Sequence, residues 1–225
     1  AGPETPLGEG IPRGPRVRFF GRAAAEGTAI FDAGGARVEA RIEKIKGGFK
    51  IGGAVRGRAG TIEICRFPAP ATFLANNWQS WGPTQKMDRA GRFEGLAVRM
   101  QHQGRSVFSP IPEMALEKLV SDHFVAWDGG MAGFLSSKIG HPYFAVEGDE
   151  VAGYIEYFDT AFEDAVPLEP MIVLDGPSVE QVLEEYGIRA ALENGVRVSE
   201  WNPVGWSSWY HYFTNLAYAD VEKNL

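Results

Sequence analysis

Two short segments of this 225-residue chain concentrate side chains suited to gripping a polyhydroxylated ligand. In the first, Asn76-Asn77-Trp78-Gln79-Ser80-Trp81-Gly82-Pro83, two tryptophans three apart stand among amides, a serine and a turn-forming Gly-Pro. An indole stacks on the pyranose face that presents C–H groups, while amides bind the hydroxyls. The same residues also suit a loop whose tryptophans plug the edge of a β-sandwich. In the second, Trp206-Ser207-Ser208-Trp209-Tyr210-His211-Tyr212-Phe213, five of eight residues are aromatic. At the C-terminal end of a barrel strand, Trp209 and Tyr210 face an active site, with Trp206 deeper. Core packing is the competing reading, and it suits Trp206 and Phe213 better than Tyr210.

Other chemistries find less support. His102, His123, His141 and His211 lack metal-ligand spacing, and no metal is expected. Gly52-Gly53 has neither the GxGxxG spacing nor the strand-to-helix context of a dinucleotide site, and no cofactor is expected. Ser207-Ser208 lacks the GxSxG elbow of a serine hydrolase. Glu156, Asp159, Glu163 and Asp164 include possible carboxylate pairs, but their setting reads as a strand end and loop, a structural role.

The formal charge of −7, from 22 basic and 29 acidic residues, gives no electrostatic reason to bind nucleic acid or anionic lipid. No apolar run approaches the roughly 20 residues needed to span a membrane. Cys65 is the only cysteine, so no intrachain disulfide forms, which fits a cytoplasmic protein. Ala1 to Pro15 has no apolar h-region and reads as a loose tail.

The elements that must hold these segments are mostly strands. Val38, Ala40 and Ile42 alternate with Glu39, Arg41 and Glu43, and Phe49, Ile51, Gly53 and Val55 repeat the period of a half-buried strand. Thr61 to Phe67 alternates less cleanly. Two hairpins are expected: 123–127 with 131–138 around Asp128-Gly129-Gly130, and 143–147 with 150–158 around Gly148-Asp149, a pair suited to a II′ turn. Met171 to Leu174 closes the series, and the count of strands argues for a large antiparallel sandwich. Ser178 and Gln181 have capping-box spacing. Val179, Val182, Leu183, Tyr186 and Ala190 form one helical stripe, so a helix is expected from Ser178 to Asn194, with a break near Gly187. Pro203 to Tyr210 is apolar without alternation, as in a strand buried on both faces. Val221 and Leu225 then suit one face of a helix. The chain is therefore expected to end after one β/α unit of a (β/α)8 barrel, a fold of about 250 residues.

Five motifs, Asn76–Pro83 (NNWQSWGP), Phe134–Ala145 (FLSSKIGHPYFA), Tyr154–Asp159 (YIEYFD), Val166–Pro170 (VPLEP) and Gly205–Phe213 (GWSSWYHYF), together resemble the bacterial α-galactosidases of glycoside hydrolase family 36. The resemblance implies a mainly β fold: an antiparallel, galactose-mutarotase-like β-supersandwich at 16–177, after a tail at 1–15. A helical linker at 178–202 and the truncated start of a (β/α)8 catalytic barrel at 203–225 follow. It implies a retaining hydrolase of terminal α-D-galactosyl residues in melibiose- and raffinose-type oligosaccharides. Both catalytic aspartates are expected on later barrel strands, beyond residue 225, so no catalytic residue is assigned here. Trp81 and Tyr210 match residues that line the family's galactose pocket, and Trp209 and Asn77 match more weakly. The expected partner is an α-galactoside or galactose, with a homo-oligomer possible in the full-length enzyme. Many relatives carry cysteine where Ser207 stands. Two alternatives stay open: a non-catalytic carbohydrate-binding sandwich, which has no use for an isolated barrel strand, and a related galactosyltransferase.

Overall fold

The computed structural model describes residues 18–20, 22, 23, 26–77, 83–91, 118–197, 199–201, 205, 207–212 and 215–224. They form two compact units, one ending at Gly195 and one beginning at Val196.

The first unit is organised by β5 (Gly48–Pro68), a strand of 21 residues. Along one edge β5 pairs with β4 (Ala36–Ile45) and then with β1 (Arg18–Phe19). β3 (Gly27–Ala33) flanks β4, and β2 (Arg22–Ala23) flanks β1. Along its other edge β5 pairs with β12 (Glu150–Pro167) over Ala54–Pro68 and with β13 (Met171–Asp175) over Gly48–Ile51. β12 and β13 thus follow one another along the same partner, with Leu168-Glu169-Pro170 at the join. There the sheet divides. β12 continues to β11 (His141–Glu147) and β8 (Val120–Asp122), whereas β13 continues to β10 (Gly130–Phe134), β9 (Phe124–Trp127), β6 (Thr72–Ala75) and β7 (Gln85–Asp88). Every pairing is antiparallel.

Residues from both arms meet in one apolar core. Phe134 and Phe144 pack at 5.2 Å between ring centroids, and Phe67 and Trp127 at 5.5 Å. Val38, Ile51, Val55, Ile62 and Ile155 are fully buried beside them. The alternation read in 38–43 appears as buried Val38, Ala40 and Ile42 with outward Glu39 and Arg41. The imperfect alternation of Thr61–Phe67 has a cause. Gly153 faces Cys65 but Tyr154 faces Glu63, so Ile64 is an extra residue, and Ile64 and Cys65 are both buried at this bulge.

The hairpin around Gly148-Asp149 forms as expected, with Glu147 opposite Glu150 and Gly148 at φ 63°, the positive value a II′ turn requires at its first central residue. The other hairpin is tighter than the sequence suggests. Gly130 pairs with Trp127, leaving a two-residue turn, and β10 stops at Phe134 rather than Lys138.

Helix α1 (Val179–Glu193) starts at the expected cap, where Ser178 accepts from the Gln181 N–H. It does not break at Gly187. A glycine inside a helix costs only about 1 kcal/mol, less than the buried stripe returns. Val182, Leu183 and Tyr186 pack on Ala126, Met131 and Ile172 of the sheet. Gly133 makes room for this contact, since a Cβ there would lie 2.7 Å from the Tyr186 ring. β10 is therefore covered by the core on one face and by α1 on the other.

The second unit corrects one expectation. Gly205, Ser207 and Ser208 form no strand, and Trp209–Tyr212 is a single helical turn, α2, closed by a Tyr212 N–H to Ser208 bond of 2.8 Å. A strand buried on both faces needs hydrogen-bonded neighbours. Among the described residues none pairs with this segment, so its backbone satisfies itself locally. α3 (Tyr218–Asn224) follows.

Glu169 ties the fork together. Its carboxylate, only 2 % exposed, accepts from the Ile139 N–H at 2.5 Å, the Gly140 N–H at 3.1 Å and the Ser136 hydroxyl. The crossing 135–140 from β10 to β11 is thereby pinned to the β12–β13 join. A buried carboxylate is tolerable only when hydrogen bonds replace its lost hydration. Glu169→Ala orphans three donors and is expected to destabilise the chain by about 2–4 kcal/mol, with Glu169→Gln intermediate. The urea midpoint measures this, and an alanine variant as stable as wild type contradicts it.

Candidate functional site

The segment rich in tryptophan is the connection of the β6–β7 hairpin. Ala75 pairs with Gln85, so nine residues, 76–84, connect the two strands, well beyond the common two to five. Trp78 and Trp81 lie outside the described residues. The residues that hold the loop ends do not. The Asn76 N–H donates to Ser121 Oγ at 2.7 Å, and the Asp122 N–H donates to the Asn76 carbonyl at 3.0 Å. The Asn76 side chain divides its two functions: Nδ2 donates to the Asp122 carbonyl at 3.3 Å, and Oδ1 accepts from the Thr84 hydroxyl at 2.9 Å. Asn77, half-buried, leads from this anchor into the loop.

Behind the anchor stands a cluster that sequence reading missed. Asp122 Oδ1 lies 2.8 Å from His123 Nδ1 and 3.1 Å from His141 Nε2. The two rings are 6.0 Å apart and His123 takes a left-handed backbone, φ 59°. Burial pushes the Asp122 pKa upward, but the hydrogen bonds from His123 and His141 outweigh it and hold the carboxyl below its usual range. The signal was weak. His141 is 19 residues from Asp122, and only the sheet, with Tyr143 opposite Asp122, brings them together. Among the described residues no three His, Cys, Asp or Glu side chains converge as metal ligands.

Two of the acidic residues of β12, Glu156 and Asp159, have structural partners. Asp159 pairs with Arg58, and Glu156 accepts from the Phe158 N–H at 2.7 Å. They stabilise a second bulge, where Phe158 and Asp159 have φ of 56° and 58°. Cys65 is fully buried, and burial pushes its thiol pKa up, so it is no nucleophile.

The other expected site residues belong to the second unit. Trp209 is 51 % exposed in α2, and Tyr210 follows it in the same turn. The structure therefore fixes Asn77 in one unit and Trp209 and Tyr210 in the other.

Residues 41–175 match the family model for the N-terminal region of α-galactosidases, more than half of the chain. The chain belongs to the α-galactosidase N-terminal family. The match spans most of the sheet and ends with β13. It contains the β6–β7 loop, the Asp122 cluster and Glu169. The family implies a glycoside hydrolase parent.

Because the Asp122 pKa is depressed in the folded chain, its stabilisation is present above the unfolded value near pH 4 and lost as pH falls through the folded pKa. Asp122→Asn is expected to cost about 1–3 kcal/mol at pH 7, and the gap to wild type is expected to close on acidification below about pH 4. Urea titrations across this pH range measure it, and a gap that stays constant down to pH 2–3 contradicts it.

Proposed function

We propose that this chain is the N-terminal portion of a retaining α-galactosidase of glycoside hydrolase family 36. The supporting observation is that a family match to α-galactosidase N-terminal regions encloses a long hairpin connection, rich in tryptophan and amides, whose ends are anchored on the sheet. On this reading the loop supplies one wall of a galactose subsite. Trp81 stacks on the apolar face of the sugar and Asn77 offers an amide to its hydroxyls, and the family resemblance also assigns Tyr210, and more weakly Trp209, to galactose binding. Stacking of this kind suits galactose, whose C–H groups cluster on one face.

The chemistry belongs to two aspartates of the barrel. One attacks the anomeric carbon and displaces the leaving oxygen, which the other protonates. Water then releases galactose with retained configuration. Retention needs the two carboxyl groups about 5–5.5 Å apart. The family resemblance assigns neither aspartate to the 225 residues of this chain. The purified chain is accordingly expected to show no turnover of a chromogenic α-galactoside above a heat-killed control.

In the parent enzyme, losing the Trp81 stack removes apolar contact worth on the order of 1–3 kcal/mol. Trp81→Ala is expected to raise the galactose inhibition constant roughly 5- to 150-fold with little change in melting temperature, whereas Trp78→Ala acts mainly on folding. An unchanged inhibition constant in a well-folded Trp81→Ala enzyme removes Trp81 from the subsite.

A further inference from the structure

We propose that the Asn76–Thr84 hydrogen bond is a positioning device for galactose binding: it staples the two ends of the β6–β7 loop and ties them to β8. The inference rests on the proposed subsite and adds residues outside it. Among the described residues, the last backbone pair of the β6–β7 hairpin is Ala75 with Gln85. Asn76 and Thr84 are the first and last residues of the connection, and their side chains make the next rung at 2.9 Å. The rung is immobilised from behind. Asn76 makes three further hydrogen bonds, to Ser121 Oγ and to the backbone N–H and carbonyl of Asp122, and Ser121 in turn donates to the Phe124 carbonyl. Asp122 is itself held by His123 and His141. A chain of contacts therefore runs from β11 and β8 through one amide to the far end of the loop. Asn is the side chain this position demands. Its Nδ2 must face a carbonyl and its Oδ1 must face a hydroxyl, so aspartate would set an acceptor against the Asp122 carbonyl.

The role is positional: on the proposed reading Trp81 and Asn77 meet the sugar, and Asn76 and Thr84 hold the ends of the segment that carries them. A site misplaced by a fraction of an ångström loses binding even when the fold is intact. Thr84 gives the cleanest test, being exposed and contributing one hydroxyl to the rung. In the parent enzyme, Thr84→Val keeps the shape and deletes the donor, whereas Thr84→Ser keeps the donor. One neutral hydrogen bond corresponds to about 2- to 10-fold in an equilibrium constant. Thr84→Val is expected to raise the galactose inhibition constant by about that factor, to change kcat less than KM, and to leave the melting temperature within a degree or so of wild type. Thr84→Ser is expected to restore the constant. Trp81→Ala is measured in parallel. If it weakens galactose while Thr84→Val does not, or if Thr84→Ser is as impaired as Thr84→Val, the staple is overturned and the subsite stands. If Trp81→Ala leaves galactose binding unchanged, the subsite fails, and the staple's role in binding falls with it.

Discussion

The sheet of this domain divides at one point, and a buried carboxylate occupies it. β12 and β13 run in sequence along β5, then take different neighbours, so the backbone at Leu168–Pro170 leaves the ladder where Leu168 and Glu169 are buried. Donors freed at such a fork must be satisfied, because an unmade buried hydrogen bond costs about 1–3 kcal/mol. Glu169 accepts from two backbone N–H groups of the crossing between the arms, and from Ser136. The two arms face one core because this crossing is fixed. Helix α1 reinforces the same place, with Tyr186 donating to the Phe134 carbonyl at 2.6 Å and Asn194 to that of Leu135 at 2.7 Å.

Both arms of the fork reach the β6–β7 connection. β9 lies between β10 and β6, and β6 carries the hairpin whose connection holds Asn76 and Asn77. β8 belongs to the other arm, yet Ser121 and Asp122 bond to Asn76. The loop is therefore anchored to both arms. Loops displayed on a rigid scaffold are where proteins concentrate binding groups, and this one combines two indoles with four side chains bearing amides or hydroxyls between Asn76 and Ser80.

Much of the sheet was legible because its alternation is a local property. Val38, Ala40 and Ile42 turn inward wherever the strand pairs, and Ser178 caps a helix from its own neighbours. The bulge at Ile64 blurred one strand because two consecutive residues are buried there. The segment before Tyr210 misled for a different reason. Apolar residues without alternation suit a buried strand only when neighbours are present to pair with it. The Asp122 cluster was hidden because His141 is distant in sequence from Asp122 and His123, and only the register of β8 against β11 brings it to them. The motif NNWQSWGP falls in the β6–β7 connection and begins with Asn76, but Thr84, Ser121 and Asp122, which bond to Asn76, lie outside it.

The central claim is that the β6–β7 loop forms a wall of a galactose subsite. A crystal structure of the complete enzyme with galactose bound tests it most directly. The account predicts the Trp81 indole face within about 4 Å of the sugar's C–H face, with Asn76 bonded to Thr84 at the foot of the loop. Galactose bound with the loop beyond contact distance would contradict it.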